Sequence, residues 1–173
     1  AGILIRGGEY LERIEKLQKV VFDKTGTLTK GEPEVTDIIA ENEKELLNLA
    51  AIAEKGSEHP LASAMMKRAA SAEGVVPAAE KFEAMAGLGV KAVWQGKTII
   101  IGNRKMMEKE KADFSMFEER IKTLENSGKT VMMLAVNSHV LGLIAIADAL
   151  KEYSIEAVDK LSKMGIESIM LTG

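Results

Sequence analysis

The 173-residue sequence contains no cysteine, only three prolines and 4% aromatic residues. Without cysteine the chain can form neither a disulfide nor a cysteine-based metal site, and thiolate catalysis is excluded. The longest apolar segment, Val140 to Ala147, is interrupted by Gly142 and is far shorter than the ~20 residues that cross a bilayer. The net charge is −3 and there is no basic run or aromatic stacking surface, so nucleic acid is not expected as a partner.

The most informative segment is Asp23–Thr29, which reads Asp-Lys-Thr-Gly-Thr-Leu-Thr. It follows Lys19–Phe22, whose apolar residues predict a short, buried parallel strand. The strand would deliver the Asp23 carboxylate onto a loop of threonine and glycine, at the sheet edge where open α/β sheets bind ligands. A carboxylate in that place can attack phosphorus and form an aspartyl-phosphate. The plainer interpretation is an aspartate that only forms a turn or caps a helix.

Hydrophobic periodicity predicts the other elements. Helices are predicted over 10–19, 43–55, 61–72, 103–107, 114–126 and 154–163, and strands over 35–40, 90–94, 98–101, 131–136, 140–147 and 166–171. Residues 31–33 predict a turn, residues 95–96 and 137–139 predict hairpin turns, and Ser57 and Asn103 are predicted helix caps. Parallel α/β segments therefore flank an antiparallel α+β segment, which is typical of one domain inserted into another.

Asp23–Thr29 matches, residue for residue, the phosphorylation loop of the P-type ATPases, and essentially the whole chain resembles this family. The resemblance implies an α/β fold. A haloacid-dehalogenase-like Rossmannoid phosphorylation domain, incomplete here, would occupy residues 1–30 and 148–173. An α+β nucleotide-binding domain built on an antiparallel sheet would be inserted at residues 31–147.

Further motifs resemble the heavy-metal-transporting (P1B-type) subgroup of these ATPases. Ser57–Leu61 resembles its His-Pro motif, whose histidine helps to orient the adenine of ATP while a glutamate five residues earlier faces the same pocket. An imidazole can stack on or hydrogen-bond to a purine, and a carboxylate can accept from its exocyclic amine. Two later segments resemble the Gly-x-Gly and Gly-Asn segments beside the nucleotide. The nucleotide-binding residues so implied are Glu54, His59, Gly87, Gly89, Val90, Gly102 and Asn103.

Each of these motifs also has a plainer interpretation when it is taken alone. A single histidine at a helix start is commonly a surface residue. Two glycines before a strand usually mark a bulge or a turn. Asn103 is a good helix cap in its own right. Their occurrence in the family's order is what favours the nucleotide-binding interpretation.

The resemblance also implies the chemistry of the loop. ATP would phosphorylate Asp23, with Lys24 and Thr25 as further catalytic residues. Mg²⁺ would be held by the Asp23 carboxylate and the backbone carbonyl of Thr25. The implied phosphate-binding residues are Thr25, Gly26, Thr27, Thr172 and Gly173.

Asp148 and Lys151 fall where the family places the hinge back to the phosphorylation domain. The family more often has Arg and Pro at the positions of Lys151 and Glu152, and Asp148 is equally interpretable as a helix cap. The sequence stops at Thr172-Gly173, one residue before the aspartate of the family's Thr-Gly-Asp motif. We therefore expect a fragment of a longer chain, weakly active or inactive as it stands.

The implied function is the ATP-binding and phosphorylation portion of a heavy-metal cation-transporting pump. The chain would lie on the cytoplasmic side of the cell membrane, with the actuator and transmembrane domains of the same pump as partners. The paired methionines at 65–66, 106–107 and 132–133 are more typical of a hydrophobic core than of a Cu(I) site. His59 and His139 have no metal-ligand spacing. The transported metal is therefore not expected to bind here, and copper, silver, zinc and cadmium all stay open.

The alternative is a soluble haloacid-dehalogenase-like phosphatase that hydrolyses small phosphomonoesters. Such enzymes usually carry a second aspartate, a general acid, two residues after the nucleophile. Thr25 occupies that position here. A threonine there disfavours rapid hydrolysis and favours a long-lived phosphorylated intermediate.

Overall fold

A computed structural model describes residues 16–70 and 76–171 of the chain. The strands are β1 (Lys19–Asp23), β2 (Thr29–Ala40), β3 (Lys81–Met85), β4 (Gly89–Trp94), β5 (Lys97–Gly102), β6 (Thr130–Val136), β7 (His139–Leu150) and β8 (Glu167–Leu171). The helices are α1 (Glu43–Glu54), α2 (Pro60–Ala70), α3 (Arg104–Lys109), α4 (Glu118–Asn126) and α5 (Ser154–Lys163). In this part of the chain no helix is long and apolar enough to span a membrane.

The described residues form two compact units. One unit comprises Glu32–Ala147, and the other comprises the residues up to Gly31 together with those from Asp148 onward. β1 and β8 pair in parallel, whereas the remaining strands form one sheet in the order β2-β7-β6-β5-β4-β3. The adjacent pairs from β3 to β7 are antiparallel. The mixed α/β class and the antiparallel sheet of the insert are therefore as predicted. The assignment of the two units to named domains stays a prediction.

The core of the Glu32–Ala147 unit lies on both faces of its sheet. Successive strand residues point to opposite faces, and in β5 Ile99 and Ile101 pack with α1 and α2 while Ile100 packs with α3 and α4. β6 divides its residues between the two faces in the same way. Such strands carry continuous apolar runs because both faces are covered. Five of the six paired methionines are buried as predicted, namely Met65, Met106, Met107, Met132 and Met133, whereas Met66 is half-buried.

Most predicted elements are confirmed, with α5 at the predicted residues. The prediction of a turn at 31–33 is wrong, because these residues belong to β2. β2 is an edge strand, where Pro33 can be accommodated although it offers no N–H to a ladder. The hairpin turn predicted at 137–139 is shorter than expected. Asn137 and Ser138, both with positive φ, form the turn, and His139 is already the first residue of β7.

Three further expectations need correction or lie partly outside the described residues. Of the predicted helix 10–19, the described residues 16–18 are not helical and Lys19 is in β1; the rest lies outside the described residues. β1 alternates between exposed and half-buried side chains, with Val21 54% exposed, so the described strand is not buried as predicted. It pairs only with β8 in the described chain. The helix predicted from residue 114 begins as a 3₁₀ turn, Ser115–Phe117, before α4.

Candidate functional site

Asp23 ends β1 and is exposed at the carboxyl end of that strand. Lys24–Leu28 then forms one wide turn, which is opened by the extended conformation of Thr25 (φ −77°, ψ 123°) and by the positive φ of Gly26 (75°). A positive φ favours glycine, since a side chain would be strained there. The sequence therefore places a carboxylate at a strand end, directly before this loop, as predicted from the pattern.

Thr29 is the centre of a hydrogen-bond network beneath this loop. The residue is only 1% exposed. Its Oγ1 accepts from the Gly26 N–H at 3.1 Å and lies 2.5 Å from Asp148 Oδ2 and 3.0 Å from the Lys24 carbonyl oxygen. The single hydroxyl proton is best placed on the short contact to Asp148, because hydrogen bonds to a carboxylate are the stronger ones. The network joins residues that lie 119 positions apart in the chain.

The chain around Asp148 holds the rest of the loop. Asp148 Oδ1 accepts from the Gly31 N–H at 2.9 Å. Lys151 Nζ donates to the Gly26 carbonyl at 2.5 Å, and the Ser154 hydroxyl donates to the Leu28 carbonyl at 2.7 Å. The interpretation of Asp148 as a helix cap is wrong, since it lies within β7 and α5 begins only at Ser154.

These contacts bear on the predicted phosphate-binding residues. Gly26 uses its N–H toward Thr29 and its carbonyl toward Lys151, so both of its backbone polar groups already have protein partners. Thr25 and Thr27 are exposed on the loop. Thr172 and Gly173 lie outside the described residues. The roles predicted for these residues toward phosphate, and for Lys151 at a hinge, stay predictions.

In the Glu32–Ala147 unit, a cavity of about 300 Å³ gathers most of the predicted nucleotide-binding residues. Glu54, His59, Gly87, Gly89, Val90 and Asn103 line it, and Gly102 does not. Its remaining walls are largely apolar, from residues including Leu61, Met85, Leu88 and Met132. An apolar cavity with a few convergent polar groups is the usual form of a small-molecule site.

Glu54, Ser57 and His59 form one connected unit at this cavity. Glu54 is the last residue of α1, and the Ser57 N–H donates to its carbonyl at 2.9 Å. The Ser57 side chain also hydrogen-bonds to the Glu54 carboxyl, while Ser57 Oγ accepts from the His59 N–H at 3.3 Å. The spacing of these residues in the sequence is thus explained by a turn that links them directly. Sequence reasoning missed this role of Ser57.

The Glu54 carboxyl is in an unfavourable place for a charge. The residue is 4% exposed, and its Oε2 is shielded from solvent without a hydrogen-bond partner in the described structure. Burial raises the pKa of Glu54 above its usual range, and the hydrogen bond from Ser57 only partly opposes that rise. The carboxyl end of a helix also disfavours an anion, because the helix dipole is negative there.

His59 starts α2 and caps it. Its Nδ1 accepts from the Leu61 N–H at 3.1 Å, and its carbonyl accepts from the Ser63 N–H at 3.2 Å. The prediction of Ser57 as the cap is therefore wrong; the cap is His59, followed by Pro60 in the first helical position, which suits proline. With Nδ1 used as an acceptor, the neutral ring carries its proton on Nε2. Nε2 is then a donor held in a fixed orientation.

The glycines serve different purposes. A Cβ on Gly89 would lie 2.0 Å from the Ile101 oxygen, and one on Gly102 would lie 2.5 Å from Met106 Cβ. A Cβ on Gly87 would meet nothing within 4 Å. Gly89 and Gly102 thus lack side chains because protein atoms crowd them. Of the three, Gly87 alone has open space where a ligand could approach.

Asn103 ties the glycine loop to α3. Its Oδ1 accepts from the Met106 N–H at 3.1 Å, which confirms the predicted cap. Its Nδ2 donates to the Gly87 carbonyl at 2.8 Å, and its backbone N–H donates to the Leu88 carbonyl at 3.0 Å. One side chain therefore sets both the helix start and the position of the loop.

The comparison with known families agrees with this architecture. The profile described as "Hydrolase: haloacid dehalogenase-like hydrolase" matches residues 18–173. The chain therefore belongs to the haloacid dehalogenase-like hydrolase family.

Within that class the similarity is to heavy-metal P-type ATPases. The chain is 42% identical to a copper-exporting P-type ATPase of Bacillus subtilis, over 99% of this chain and 22% of the relative. It is 43% identical to a cadmium-transporting ATPase of Staphylococcus aureus, over 99% of this chain and 25% of the relative. The chain thus spans about a quarter or less of the length of these relatives.

A solved structure shows the same likeness. The structure of a zinc-transporting P1B-type ATPase in its E2·Pi state superimposes with a TM-score of 0.82 at 38% identity, covering 98% of this chain and 28% of that one. The predicted resemblance to the heavy-metal-transporting P-type ATPases is confirmed. It is supported over the alternative of a small-molecule phosphatase.

Proposed function

We propose that this chain is the ATP-binding and phosphorylation portion of a heavy-metal cation-transporting P-type ATPase. The observation that carries the proposal is the cavity of about 300 Å³ on which Glu54, His59, Gly87, Gly89, Val90 and Asn103 converge. In this proposal the cavity binds the base of ATP. Its apolar walls suit the faces of a purine, while Glu54 and His59 supply groups that can hydrogen-bond to its edge.

Asp23 is the proposed acceptor of the γ-phosphate. One of its carboxylate oxygens would attack the γ-phosphorus as the bond from phosphorus to the leaving ADP oxygen breaks, giving an acyl phosphate. Phosphoryl transfer depends mainly on positioning and charge neutralisation. The ties from Thr29, Lys151 and Ser154 would keep the loop in one conformation for this step. Lys24 and Thr25, adjacent to Asp23, are the proposed further catalytic residues.

The donor set of the loop fits Mg²⁺, which the family implies. Mg²⁺ takes oxygen ligands, commonly one or two carboxylates together with substrate phosphates. The exposed Asp23 carboxylate and the Thr25 carbonyl are such oxygens. The described residues contain no group of three acidic or histidine side chains that could hold a metal. When bound, the ion would neutralise the charge on the phosphate and the carboxylate.

Metal transport, the other pump domains and the cellular location are proposed here from the similarity to longer relatives. The relatives are named as transporters of copper and cadmium, and the structural neighbour as a transporter of zinc. By this similarity the phosphorylated Asp23 would drive metal transport in a membrane pump, together with its actuator and transmembrane domains. The chain would lie on the cytoplasmic side, where ATP is available.

Calorimetric titration with ATP tests the nucleotide site. We expect micromolar-to-millimolar affinity that Asp23→Asn leaves unchanged. His59→Ala should weaken binding by about 1–2 kcal/mol, the scale of one lost hydrogen bond or stack. His59→Asn is the sharper variant, because asparagine keeps a good helix cap but lacks the ring. His139→Ala, at the other histidine, is the matched control.

The outcomes separate the two roles of His59. If His59→Asn binds ATP as tightly as wild type, the imidazole only caps α2 and does not contact the nucleotide. If wild type binds no ATP, the proposed function is wrong. Acid-stable labelling of Asp23 by γ-labelled ATP, absent in Asp23→Asn, would test the second half of the proposal in a chain extended to the length of its relatives.

A further inference from the structure

The Glu54 carboxyl presents a problem that the fold itself does not solve. It is 4% exposed, and its Oε2 has no hydrogen-bond partner in the described structure. Leaving a buried polar atom unpaired costs on the order of 1–3 kcal/mol, and more for a charged group. Glu54 nevertheless lines the cavity, so a ligand there can supply the missing partner.

The surroundings provide little to stabilise a carboxylate. Among the described residues that line the cavity, His59 is the other titratable group, and its Nδ1 is committed to the Leu61 N–H. Four lysines on neighbouring elements have partners elsewhere. Lys55 donates to the Val76 carbonyl. Three more form ion pairs with other acids: Lys67 on α2 with Glu34, Lys91 on β4 with Glu110, and Lys129 beside β6 with Asp37. Lys97 of β5 is exposed, Glu58 is an exposed acid on the Ser57 loop, and Arg68 lies near the far end of α2.

We infer that Glu54 recognises an adenine base as a neutral carboxylic acid, so that binding of ATP is coupled to the binding of a proton. This inference rests on the proposed nucleotide site and specifies how that site selects its base. The O–H of the acid donates to N1 of adenine, and its carbonyl oxygen accepts from the N6 amine. The unpartnered oxygen is thereby satisfied, and no charge has to be buried.

The chemistry of the purines explains the selectivity. Adenine presents an acceptor, N1, beside a donor, the N6 amine, and a neutral acid presents the complementary donor and acceptor. A carboxylate has only acceptors, so it would place an oxygen against the N1 lone pair. Guanine presents two neighbouring donors, N1–H and the N2 amine, which suit a carboxylate. Protonated Glu54 therefore favours adenine, and ionised Glu54 favours guanine. The raised pKa of Glu54 supports this arrangement.

The experiment is calorimetric titration of the whole chain with ATP and with GTP, across a pH series and in two buffers of different ionisation enthalpy. Wild type and Glu54→Gln are compared, because glutamine presents an N–H donor and a carbonyl acceptor without a titratable proton. The difference between the two proteins cancels the proton changes that they share, including those of the ATP phosphates. Glu58→Gln, an exposed change on the same loop, is the matched control.

We expect wild type to take up more protons than Glu54→Gln on binding ATP. Above the pKa of Glu54, the ATP affinity of wild type should fall by up to about tenfold per pH unit relative to Glu54→Gln, as for one linked proton. The preference for ATP over GTP should narrow over the same range in wild type alone. In the infrared spectrum, wild type should show a protonated-carboxyl carbonyl band that is absent from Glu54→Gln and shifts when ATP is added.

Equal proton uptake and equal pH dependence in the two proteins would overturn the inference while leaving ATP binding intact. A loss of ATP affinity in Glu54→Gln at every pH would also overturn it, because a neutral donor and acceptor at this position would then not be sufficient for binding. The infrared band of wild type decides the protonation state even if the variant folds poorly. If wild type binds no ATP at all, the proposed function fails first and the inference fails with it.

Discussion

Gly89 and Gly102 lie opposite each other on β4 and β5, and neither has room for a side chain. Gly89 has a φ of 151°, and its Cβ would fall 2.5 Å from Gly102 Cα. On the other side of the pair, Gly102 is pressed against Met106. The close approach of these strands is what brings Leu88 within reach of the Asn103 N–H. The paired glycines therefore shape the cavity wall indirectly, through packing.

We predict a clear order of stability for alanine substitutions at the three glycines. Gly89→Ala combines overpacking, about 1–3 kcal/mol, with a further ~1 kcal/mol for the left-handed backbone. Gly102→Ala should show the overpacking cost, whereas Gly87→Ala should show only the backbone cost. Urea denaturation of the three variants measures these losses. Equal losses at Gly87 and Gly89 would mean that packing between the strands does not explain the glycine at position 89.

The second prediction concerns the pH dependence of stability at Glu54. Its pKa is raised in the folded chain, so the folded state binds a proton more tightly than the unfolded state does. Stability from this group is fully present below the unfolded pKa and is lost as the pH rises through the folded pKa. Melting temperatures of wild type should therefore fall across that window relative to Glu54→Gln. Parallel curves for the two proteins would show that Glu54 has an ordinary pKa when the chain is free of ligand.

A third prediction tests the hydrogen bonds beneath the Lys24–Leu28 loop. Thr29→Val deletes the hydroxyl that receives the Gly26 N–H, and Asp148→Asn places an amide where two donors need acceptors. Each change should lower the free energy of unfolding by about 1–3 kcal/mol, the cost of a buried polar group left unpaired.

The coupling between the two positions distinguishes a direct tie from separate effects. In a double-mutant cycle the losses should be non-additive by about 0.5–3 kcal/mol, as is usual for residues in direct contact. Thr29→Ser, which keeps the hydroxyl, should retain most of the stability and serves as control. Strict additivity of Thr29→Val and Asp148→Asn would exclude the hydrogen bond as a significant contribution.

A fourth prediction separates the two duties of Asn103. Asn103→Asp keeps the oxygen that caps α3 but loses the Nδ2 donor to the Gly87 carbonyl. Its unfolding free energy should fall by no more than the value of the lost loop hydrogen bond, about 0.5–1.5 kcal/mol, since Asp and Asn cap equally well. Its ATP affinity should fall about three- to tenfold, as for one lost hydrogen bond in the loop.

Asn103→Ala loses both contacts and provides the comparison. It should cost about 1 kcal/mol more stability than Asn103→Asp, and it should cost affinity as well, because the cap disappears together with the hydrogen bond to the loop. Chemical denaturation and calorimetry on the same preparations give both quantities. If Asn103→Asp bound ATP as wild type does, the tie to Gly87 would be irrelevant to the nucleotide site.

Local patterns in the sequence were sufficient to predict most of the fold. The apolar period of α5 and the tight turn at residues 95–96 are properties of a few neighbouring residues, so they could be predicted without the tertiary structure. β3 was not predicted, because its side chains are mostly exposed and the strand is defined by its pairing with β4. A strand of that kind carries almost no apolar pattern of its own.

In the candidate site, too, residues in short motifs could be predicted from the sequence, whereas contacts between distant residues could not. Six of the seven residues that short motifs predicted to bind nucleotide line one cavity, and their role toward nucleotide stays a prediction. The link from Ser57 to Glu54 was missed, because serine before His-Pro has the ordinary appearance of a helix cap. The bond between Thr29 and Asp148 spans 119 positions, and no local pattern predicts a contact at that separation.

A second long-range hydrogen bond to Asp148 has a consequence for how such chains can diversify. Gly31 and Asp148, where the intervening segment departs and returns, are joined by a 2.9 Å hydrogen bond. A segment whose two ends meet can be lengthened at little cost, because doubling a flexible loop adds only about 0.6 kcal/mol of closure entropy. The same carboxylate would close the ring around a larger insert or a smaller one. Asp148 thus joins the Lys24–Leu28 loop, through Thr29, to the start of the intervening segment, so a different recognition module can be inserted there, by evolution or by design, without rebuilding the loop.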